Sequence, residues 1–405
     1  MCSAKVTIPA ANRVLKSVTD RQHFAALDAL RGLAALSVTF YHVSWMNPTE
    51  SLHYVRNSYL MVDVFFVLSG FVIFYAYHER LGTIDDVRRF VWLRFWRIYP
   101  LHFTFLIVFV FIEVLKFAVE WRYGIKANHP AFEQNSASAF FKNLFLIQAL
   151  HTSDTLTFNE PAWSISTEFC AYVLFAAVAY VFRVRVAILL ASGVLCATGF
   201  ALLIALGSRG VQSTYDFGII RCLVGFFLGV LVYALYDLVR TKRLVREHPI
   251  LCGRVAILSM LSFVAFLASK TPGYSDLCIY PLSAAVILTV ALSPKTSATR
   301  FLYLPPLQWL GAISYSLYMA HDAVLWFVKV FLRFGTDAQD VWLPFHDIPV
   351  LQTSSLYGTI GAIAGVVLVL VIAQLTYAWI EIPFRNWSRR TRKPQVGLSG
   401  DTIQA

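Results

Sequence analysis

Long apolar segments separated by short polar ones extend from residue 27 to residue 381. A helix needs about 20 apolar residues to cross the hydrocarbon of a bilayer. Ten segments approach that length: 27–47, 60–77, 101–119, 162–182, 186–206, 218–236, 251–268, 277–292, 307–332 and 357–381. The ninth is interrupted by His321 and Asp322. The pattern predicts an all-α polytopic integral membrane protein, a bundle of about ten transmembrane helices.

Two segments outside these spans have patterns of their own. Segment 84–99 mixes arginine with aromatic residues at near-helical spacing. This spacing predicts an amphipathic helix on the inner membrane surface that ends at Pro100. The stretch 120–161 is polar and aromatic, and its apolar run FFKNLFLIQAL is compatible with a dip into the membrane interface.

Composition and charge agree with a membrane setting. Of the 405 residues, 58% are hydrophobic and 14% are charged, whereas a soluble chain carries roughly 25% charged residues. The net charge of +11 does not indicate a nucleic-acid partner, because the basic residues lie in short runs between the apolar segments.

The distribution of those basic residues predicts the orientation in the membrane. With a cytosolic N terminus, 22 of the 34 Lys and Arg residues fall on inner segments and seven on outer loops. This is the positive-inside bias, which predicts cytosolic N and C termini in a bacterial inner membrane. The predicted organisation is a cytosolic tail (1–26), a transmembrane domain (27–385) and a second cytosolic tail (386–405).

The first apolar segment carries two ionisable residues, Arg31 and His42. Such groups within a span cost free energy unless paired or solvated, so both are functional candidates. Their spacing of eleven residues places both on one helix face, about 16 Å apart along the axis. An extended pantetheine arm has a similar reach, so an arginine at a phosphate and an imidazole at a thioester fit one substrate. The structural alternative pairs Arg31 with Asp28, one turn back, and packs His42 against a neighbouring helix.

Six segments, in order along the chain, resemble the signatures of the acyltransferase 3 family, integral-membrane acylases of O-antigens, exopolysaccharides and Nod factors. They are ALDALRGLAALSVTFYHVSW, DVFFVLSGFVI, RFWRIYPLH, PAWSISTEFCAY, GAISYSLYMAH and IEIPFRNW. The similarity covers about 25–385. It implies a cytosolic acyl-CoA donor and a glycan or similar acceptor outside, with His42 as the catalytic residue and Arg31 as its motif partner. Many family members append an SGNH esterase-like domain, which is not expected in this chain.

The carboxylates in these motifs are candidates to assist His42. Asp63 and Glu168 are expected at a depth comparable to His42, where either can orient the imidazole or hydrogen-bond the acceptor. Their alternative role is solvation of helix ends. Ser69, in the second motif, is a candidate contact to the donor.

Other motif residues are candidates for binding the two substrates. Arg89, Arg94 and Arg97 can bind the phosphates of CoA through fork-shaped guanidinium contacts. Their alternative role is to bind anionic lipid headgroups. Trp163, Tyr172 and His321 are candidate acceptor contacts, although a packed structural role is equally open for His321.

Together these observations predict a helical bundle enclosing a polar tunnel. In it, cytosolic acyl-CoA (acetyl-CoA as the expected donor) meets a hydroxyl of a polysaccharide, lipopolysaccharide or lipid-linked glycan. His42 acts as general base or carries the acyl group itself. No metal or permanently bound cofactor is expected, and polysaccharide synthesis machinery is a candidate partner. A transporter or flippase, and a non-catalytic partner of a glycan synthesis complex, are the alternatives.

Overall fold

The computed structural model describes residues 23–124, 130–207, 212–271, 273–336, 339–341 and 350–391. Within these residues the chain is almost wholly helical. Its α-helices are α1 (Ala25–Tyr41), α2 (His53–Arg56), α3 (Met61–Tyr77), α4 (Ile84–Tyr123), α5 (Ala137–Leu144), α6 (Trp163–Phe182), α7 (Arg185–Ala205), α8 (Gly218–Val239), α9 (Arg243–Glu247), α10 (Pro249–Ser269), α11 (Ile279–Leu292), α12 (Pro305–Ala312), α13 (Ser314–Thr336), α14 (Ser355–Thr376) and α15 (Ile382–Thr391). A π-helical turn, Tyr377–Glu381, joins α14 to α15. Two short strands, β1 (Gln339–Val341) and β2 (Val350–Gln352), pair antiparallel.

Eight helical segments in the described residues are long and apolar enough to cross a bilayer. They are Ser58–Tyr77, Ile84–Tyr123, Glu160–Phe182, Arg185–Ala205, Gly218–Val239, Pro249–Ser269, Tyr274–Leu292 and Ser355–Thr391. The first and ninth predicted spans are helices too, but α1 has only 17 residues and α13 carries four ionisable side chains. The two pack against each other within the bundle. The predicted all-α polytopic fold is confirmed.

The predicted surface helix over 84–99 is wrong as a separate element. It continues through Pro100 into the next span, and α4 is one helix of 40 residues. Proline removes one helical hydrogen bond, but tertiary contacts hold α4 in place in the turn just before Pro100. Trp96 stacks on Phe384 with ring centroids 5.7 Å apart. Tyr315 donates a hydrogen bond to the Ile98 carbonyl at 2.5 Å.

Two further boundaries differ from the prediction. The break in the ninth segment lies between α12 and α13, whereas His321 and Asp322 lie inside continuous α13. At the C-terminal end, α15 extends to Thr391, six residues into the predicted tail. Residues 1–22 and 392–405, which make up most of the two predicted tails, lie outside the described residues.

A close approach of two glycines aligns α1 with the α12–α13 unit. A Cβ atom on Gly32 would lie 2.6 Å from the Gly311 nitrogen, and one on Gly311 would lie 2.4 Å from the Asp28 carbonyl oxygen. Ten residues beyond each glycine, His42 and His321 are again in contact. The two segments therefore run parallel, so α13 accompanies α1 along the length that separates Arg31 from His42.

The bundle has two ends, which are named here by the course of the chain. The inner end is where the described chain begins and stops; there Phe24 packs on Tyr75 and Tyr236 with ring centroids 5.2 and 5.5 Å apart. The outer end lies opposite, where α1 finishes. Leu351 of β2 is hydrogen-bonded there on both sides of buried Trp45, which fixes the chain just beyond His42.

Candidate functional site

A cavity of about 190 Å³, lined by both apolar and charged side chains, lies among α1, α3, α4, α6 and α13. Six of the site residues predicted from the sequence line it: Arg31, Ser69, Arg94, Arg97, Glu168 and Tyr172. These side chains come from four different helices. The fold therefore brings together residues that are up to 141 positions apart in the sequence.

Glu168 is held against the cavity wall by two hydroxyl groups. Ser69 Oγ donates to Glu168 Oε1 at 2.7 Å, and Tyr172 OH, one turn further along α6, donates to the same oxygen. Oε1 accepts both bonds, which leaves Oε2 for a ligand. In the described part of the chain, Glu168 is bonded to these hydroxyls rather than to His42.

The three arginines of the cavity differ in how they are paired. Arg31 lies 3.3 Å from Asp28, so the structural pairing considered from the sequence is present although the guanidinium also lines the cavity. Arg97 forms an ion pair with the fully buried carboxylate of Glu381. Arg94 donates to Tyr77 OH at 3.2 Å.

Arg89 does not join this group. It is half-buried on α4 near its inner end and is not among the residues that line the cavity. Its predicted role in donor binding has no support in the geometry of the described residues.

The predicted catalytic residue, His42, forms the C-terminal cap of α1 at the outer end. Its Nδ1 lies 2.9 Å from the Val38 carbonyl oxygen and 3.2 Å from Nε2 of His321. The two imidazole rings are 4.6 Å apart between centroids, and His321 is fully buried. The structure thus joins two histidines that are 279 residues apart in the sequence.

Tyr318 connects the cavity with the histidine pair. It lines the cavity, and its ring lies 5.6 Å from that of His321, one turn further along α13. Its hydroxyl is 2.9 Å from Ser164 Oγ and donates to the Pro161 carbonyl at 3.0 Å. The histidines themselves do not line the cavity, so the aromatic ring of Tyr318 stands between the two parts of the site.

Asp63 is not placed beside His42, as one sequence hypothesis required. Its carboxylate is fully buried and lies 2.7 Å from the guanidinium of Arg221 on α8. Tyr280 also donates to it at 3.2 Å, and the predicted acceptor contact Trp163 lies under Arg221, 5.0 Å from ring centroid to guanidinium. These contacts of Asp63 therefore all belong to the buried cluster around the ion pair with Arg221.

Sequence reasoning missed Arg221 and Glu381 as partners of predicted residues. The signal for Arg221 was available, because an arginine within an apolar segment must find a partner. The identity of that partner was not readable, since Asp63 and Arg221 are 158 residues apart.

Comparisons with known proteins find similarity over most of the chain. A family model described as an acyltransferase domain, acyltransferase 3, matches residues 24–374. The peptidoglycan O-acetyltransferase OatA of Listeria monocytogenes is 22% identical over 393 residues, which cover 91% of this chain and 56% of that protein. The O-acetyltransferase OatA of Staphylococcus aureus is 25% identical over 404 residues, covering 92% of this chain and 59% of that protein.

A shorter match involves the acyltransferase MdmB of Streptomyces mycarofaciens, 31% identical over 160 residues, which are 37% of this chain and 38% of that protein. The chain spans little more than half the length of the two O-acetyltransferases. No solved structure matches it. Because the family model covers most of the sequence and all of the cavity-lining residues, the chain belongs to the acyltransferase 3 family.

Proposed function

We propose that this protein transfers a short acyl group, acetyl being the expected one, from cytosolic acyl-CoA to a hydroxyl of an extracytoplasmic glycan. In this proposal it is a multi-pass protein of the bacterial inner membrane with both termini in the cytosol. The observation that carries the proposal is the contact between His42 and His321 at the outer end, one tyrosine away from an arginine-lined cavity. The relatives named as O-acetyltransferases support acetyl as the acyl group and a glycan as the acceptor.

The arginines of the cavity suit the phosphate-bearing part of the donor. Arg31, Arg94 and Arg97 converge on it from two helices, and guanidinium groups bind phosphate oxygens in pairs of parallel hydrogen bonds. Arg31 lies about 16 Å from His42 along α1, a distance that an extended pantetheine arm can bridge. The donor then enters from the inner end and presents its thioester toward the outer end.

His42 has the tautomer that a general base needs. The Val38 carbonyl is only an acceptor, so the proton of His42 lies on Nδ1 and is donated to that carbonyl. The free lone pair is consequently on Nε2. At that atom His42 can accept a proton from an incoming hydroxyl, which makes the oxygen nucleophilic.

The reaction balances with the acceptor hydroxyl and the thioester alone. The hydroxyl oxygen forms a bond to the acyl carbon as its proton passes to His42 Nε2, and the carbon–sulfur bond breaks. The CoA thiolate leaves with the electron pair and then takes the proton from His42. In the covalent alternative, Nε2 attacks the thioester and the CoA thiolate leaves with the electron pair of the carbon–sulfur bond. The hydroxyl oxygen then bonds to the acyl carbon as the bond from that carbon to Nε2 breaks, and the hydroxyl proton passes to the thiolate.

His321 supports either route by accepting from the same Nδ1–H. Its Nε2 lies 3.2 Å from His42 Nδ1, a position from which it can only accept, so its own proton lies on Nδ1. When His42 becomes an imidazolium, this neutral acceptor stabilises the charge and holds the ring in place. An acceptor bonded to the second ring nitrogen has the same role for other catalytic histidines.

The proposal is tested by acyl transfer with purified full-length protein in neutral-lipid nanodiscs. Acetyl-CoA is supplied with a soluble glycan acceptor, free thiol is measured with a chromogenic disulfide, and the glycan mass is measured by mass spectrometry. Wild type should release one thiol per acetyl group gained by the glycan. His42→Ala should lower the turnover by about 10²–10⁴-fold, the usual contribution of a general base.

The matched control is His53→Ala, a histidine in a loop helix of the outer end, which should leave turnover unchanged. A transporter or scaffold releases no thiol under these conditions. Thiol release that is the same in wild type and His42→Ala would refute the assignment of His42, and no acetyl gain on any envelope glycan would refute acyl transfer.

A further inference from the structure

The inner end of the bundle carries an excess of positive charge, of which the proposed donor site uses only Arg94 and Arg97. Arg94 and Arg97 of α4 face Arg385 and Arg389 of α15, and Arg389 lies within electrostatic range of the other three. Ion pairing in this group is limited to one carboxylate in the described residues, that of Glu381. Four guanidinium groups around one carboxylate leave a formal charge of +3.

Hydrogen bonding at this cluster is also incomplete. The Nε atoms of Arg94 and Arg385 are buried and have no hydrogen-bond partner in the described part of the chain. An unsatisfied buried donor is destabilising, and more so when it is charged. An anion with several oxygen atoms would accept hydrogen bonds from both donors, which lie on two different helices.

The turn that precedes α15 and the aromatic contacts of α15 with α4 fix the position of its arginines. Glu381 lies in the π-helical turn between α14 and α15, and such turns are frequent at functional sites because they shift the register of the following residues. Trp387 of α15 packs on Trp92 and Trp96 of α4, with ring centroids 5.8 and 4.7 Å apart. These aromatic contacts hold α15 against α4 with its arginines beside the cavity.

We infer that Arg385 and Arg389 of α15 complete a phosphate-binding site with Arg94 and Arg97. The ligand chemistry is a diphosphate or a phosphomonoester, and the structure favours the nucleotide end of the donor over a lipid headgroup. Arg94 and Arg97 line the cavity among the helices, so a ligand in that cavity contacts them from inside the bundle. The inference rests on the proposed function, because it names where the phosphates of that donor are held.

The test compares a donor that has phosphate groups with one that has the same thioester and none. The variants are Arg385→Gln and Arg389→Gln, with Arg243→Gln as control, since Arg243 pairs with Glu247 on an exposed helix of the same end. Acetyl-CoA is compared with S-acetylpantetheine, which has the same thioester and no phosphate. For Arg385→Gln the KM for acetyl-CoA should rise by about 10- to 100-fold, the loss expected for one charge-assisted contact.

The same variants should turn over S-acetylpantetheine as wild type does, and Arg243→Gln should be unaffected with both substrates. An unchanged KM for acetyl-CoA in Arg385→Gln and Arg389→Gln would overturn the site. An equal loss with both donors would also overturn it, because α15 would then act on folding rather than on phosphates.

A binding measurement tests the phosphate site independently of acyl transfer. Adenosine 3′,5′-bisphosphate should stabilise wild type against heat in nanodiscs of neutral lipid, and this stabilisation should be lost in Arg385→Gln. If only anionic lipid stabilises wild type over the variant, the ligand is a headgroup and the nucleotide assignment is wrong. If the bisphosphate binds through Arg385 but no thiol is released from acetyl-CoA, the site stands and the proposed transfer fails.

Discussion

The buried pair of Asp63 and Arg221 gives a quantitative test of which charged residues are structural. Both side chains are almost fully inaccessible, with exposures of 0% and 2%. Arg221 makes two contacts to the carboxylate, at 2.7 and 3.3 Å, and one to the Ser213 carbonyl at 2.8 Å. Removing Asp63 leaves a buried guanidinium that, within the described residues, keeps only the Ser213 carbonyl and the Trp163 ring as partners.

Breaking such a pair on one side costs about 3–5 kcal/mol, because the remaining charge stays buried without compensation. Asp63→Leu and Arg221→Met should each lower the free energy of unfolding by about that amount. The double variant should recover most of the loss, since an apolar pair of similar volume carries no desolvation penalty.

The assay is unfolding of detergent-solubilised protein by titration with a denaturing detergent, followed by tryptophan fluorescence. Turnover is measured on the same samples per folded molecule. The double variant should keep turnover within a few-fold of wild type, which would distinguish a structural pair from a catalytic carboxylate. If Asp63→Asn folds as stably as wild type yet loses transfer, the carboxylate takes part in the reaction and the structural interpretation is wrong.

Three further predictions concern the histidine pair, the helix contact and the sidedness. His321→Asn, which keeps a neutral acceptor, should retain more of kcat than His321→Leu, with KM for acetyl-CoA unchanged in both; equal kcat values would remove His321 from the support of His42. Gly311→Ala should destabilise the protein by about 1–3 kcal/mol, because its Cβ would press on the α1 backbone, and normal stability by thermal unfolding would contradict that contact. In a background without native cysteines, Ser51→Cys should react with an impermeant thiol reagent in intact spheroplasts and Lys242→Cys should not; the reverse labelling would overturn the orientation.

The helical fold was predictable because it follows from local sequence. Span length and helical periodicity are properties of contiguous residues. Helix boundaries were less predictable. Pro100 indicated a helix end, but α4 continues past it. A hydrogen bond from Tyr315 of α13 and the stacking of Phe384 of α15 hold α4 in place just before the proline.

Pairings between distant helices were not predictable from one sequence. Asp63, Glu168 and His321 were each recognised as candidates, but which of them meets His42 depends on how four helices pack. The contact with His321 depends on Gly32 and Gly311, whose missing side chains allow α1 and α12 to touch. A single sequence shows two glycines there and does not show that they face each other.

The charged side chains of the bundle fall into two kinds, which differ in whether their hydrogen bonds are complete. Lys270 and Asp276, like Asp63 and Arg221, form a closed pair: Lys270 lies 2.5 Å from Asp276, and Asn57 accepts a further bond from the ammonium at 3.1 Å. Such closed pairs can be exchanged for apolar residues with little loss, because nothing in them is left for a ligand.

Arg94 and Arg385 are of the other kind. Each keeps a buried donor that no described residue satisfies, and both lie where four arginines share one carboxylate. A bundle in a low-dielectric medium retains such uncompensated charge at a cost, and the anion of the proposed site would offset that cost. Incomplete hydrogen bonding therefore distinguishes these two arginines from the closed pairs, as the proposed phosphate site requires.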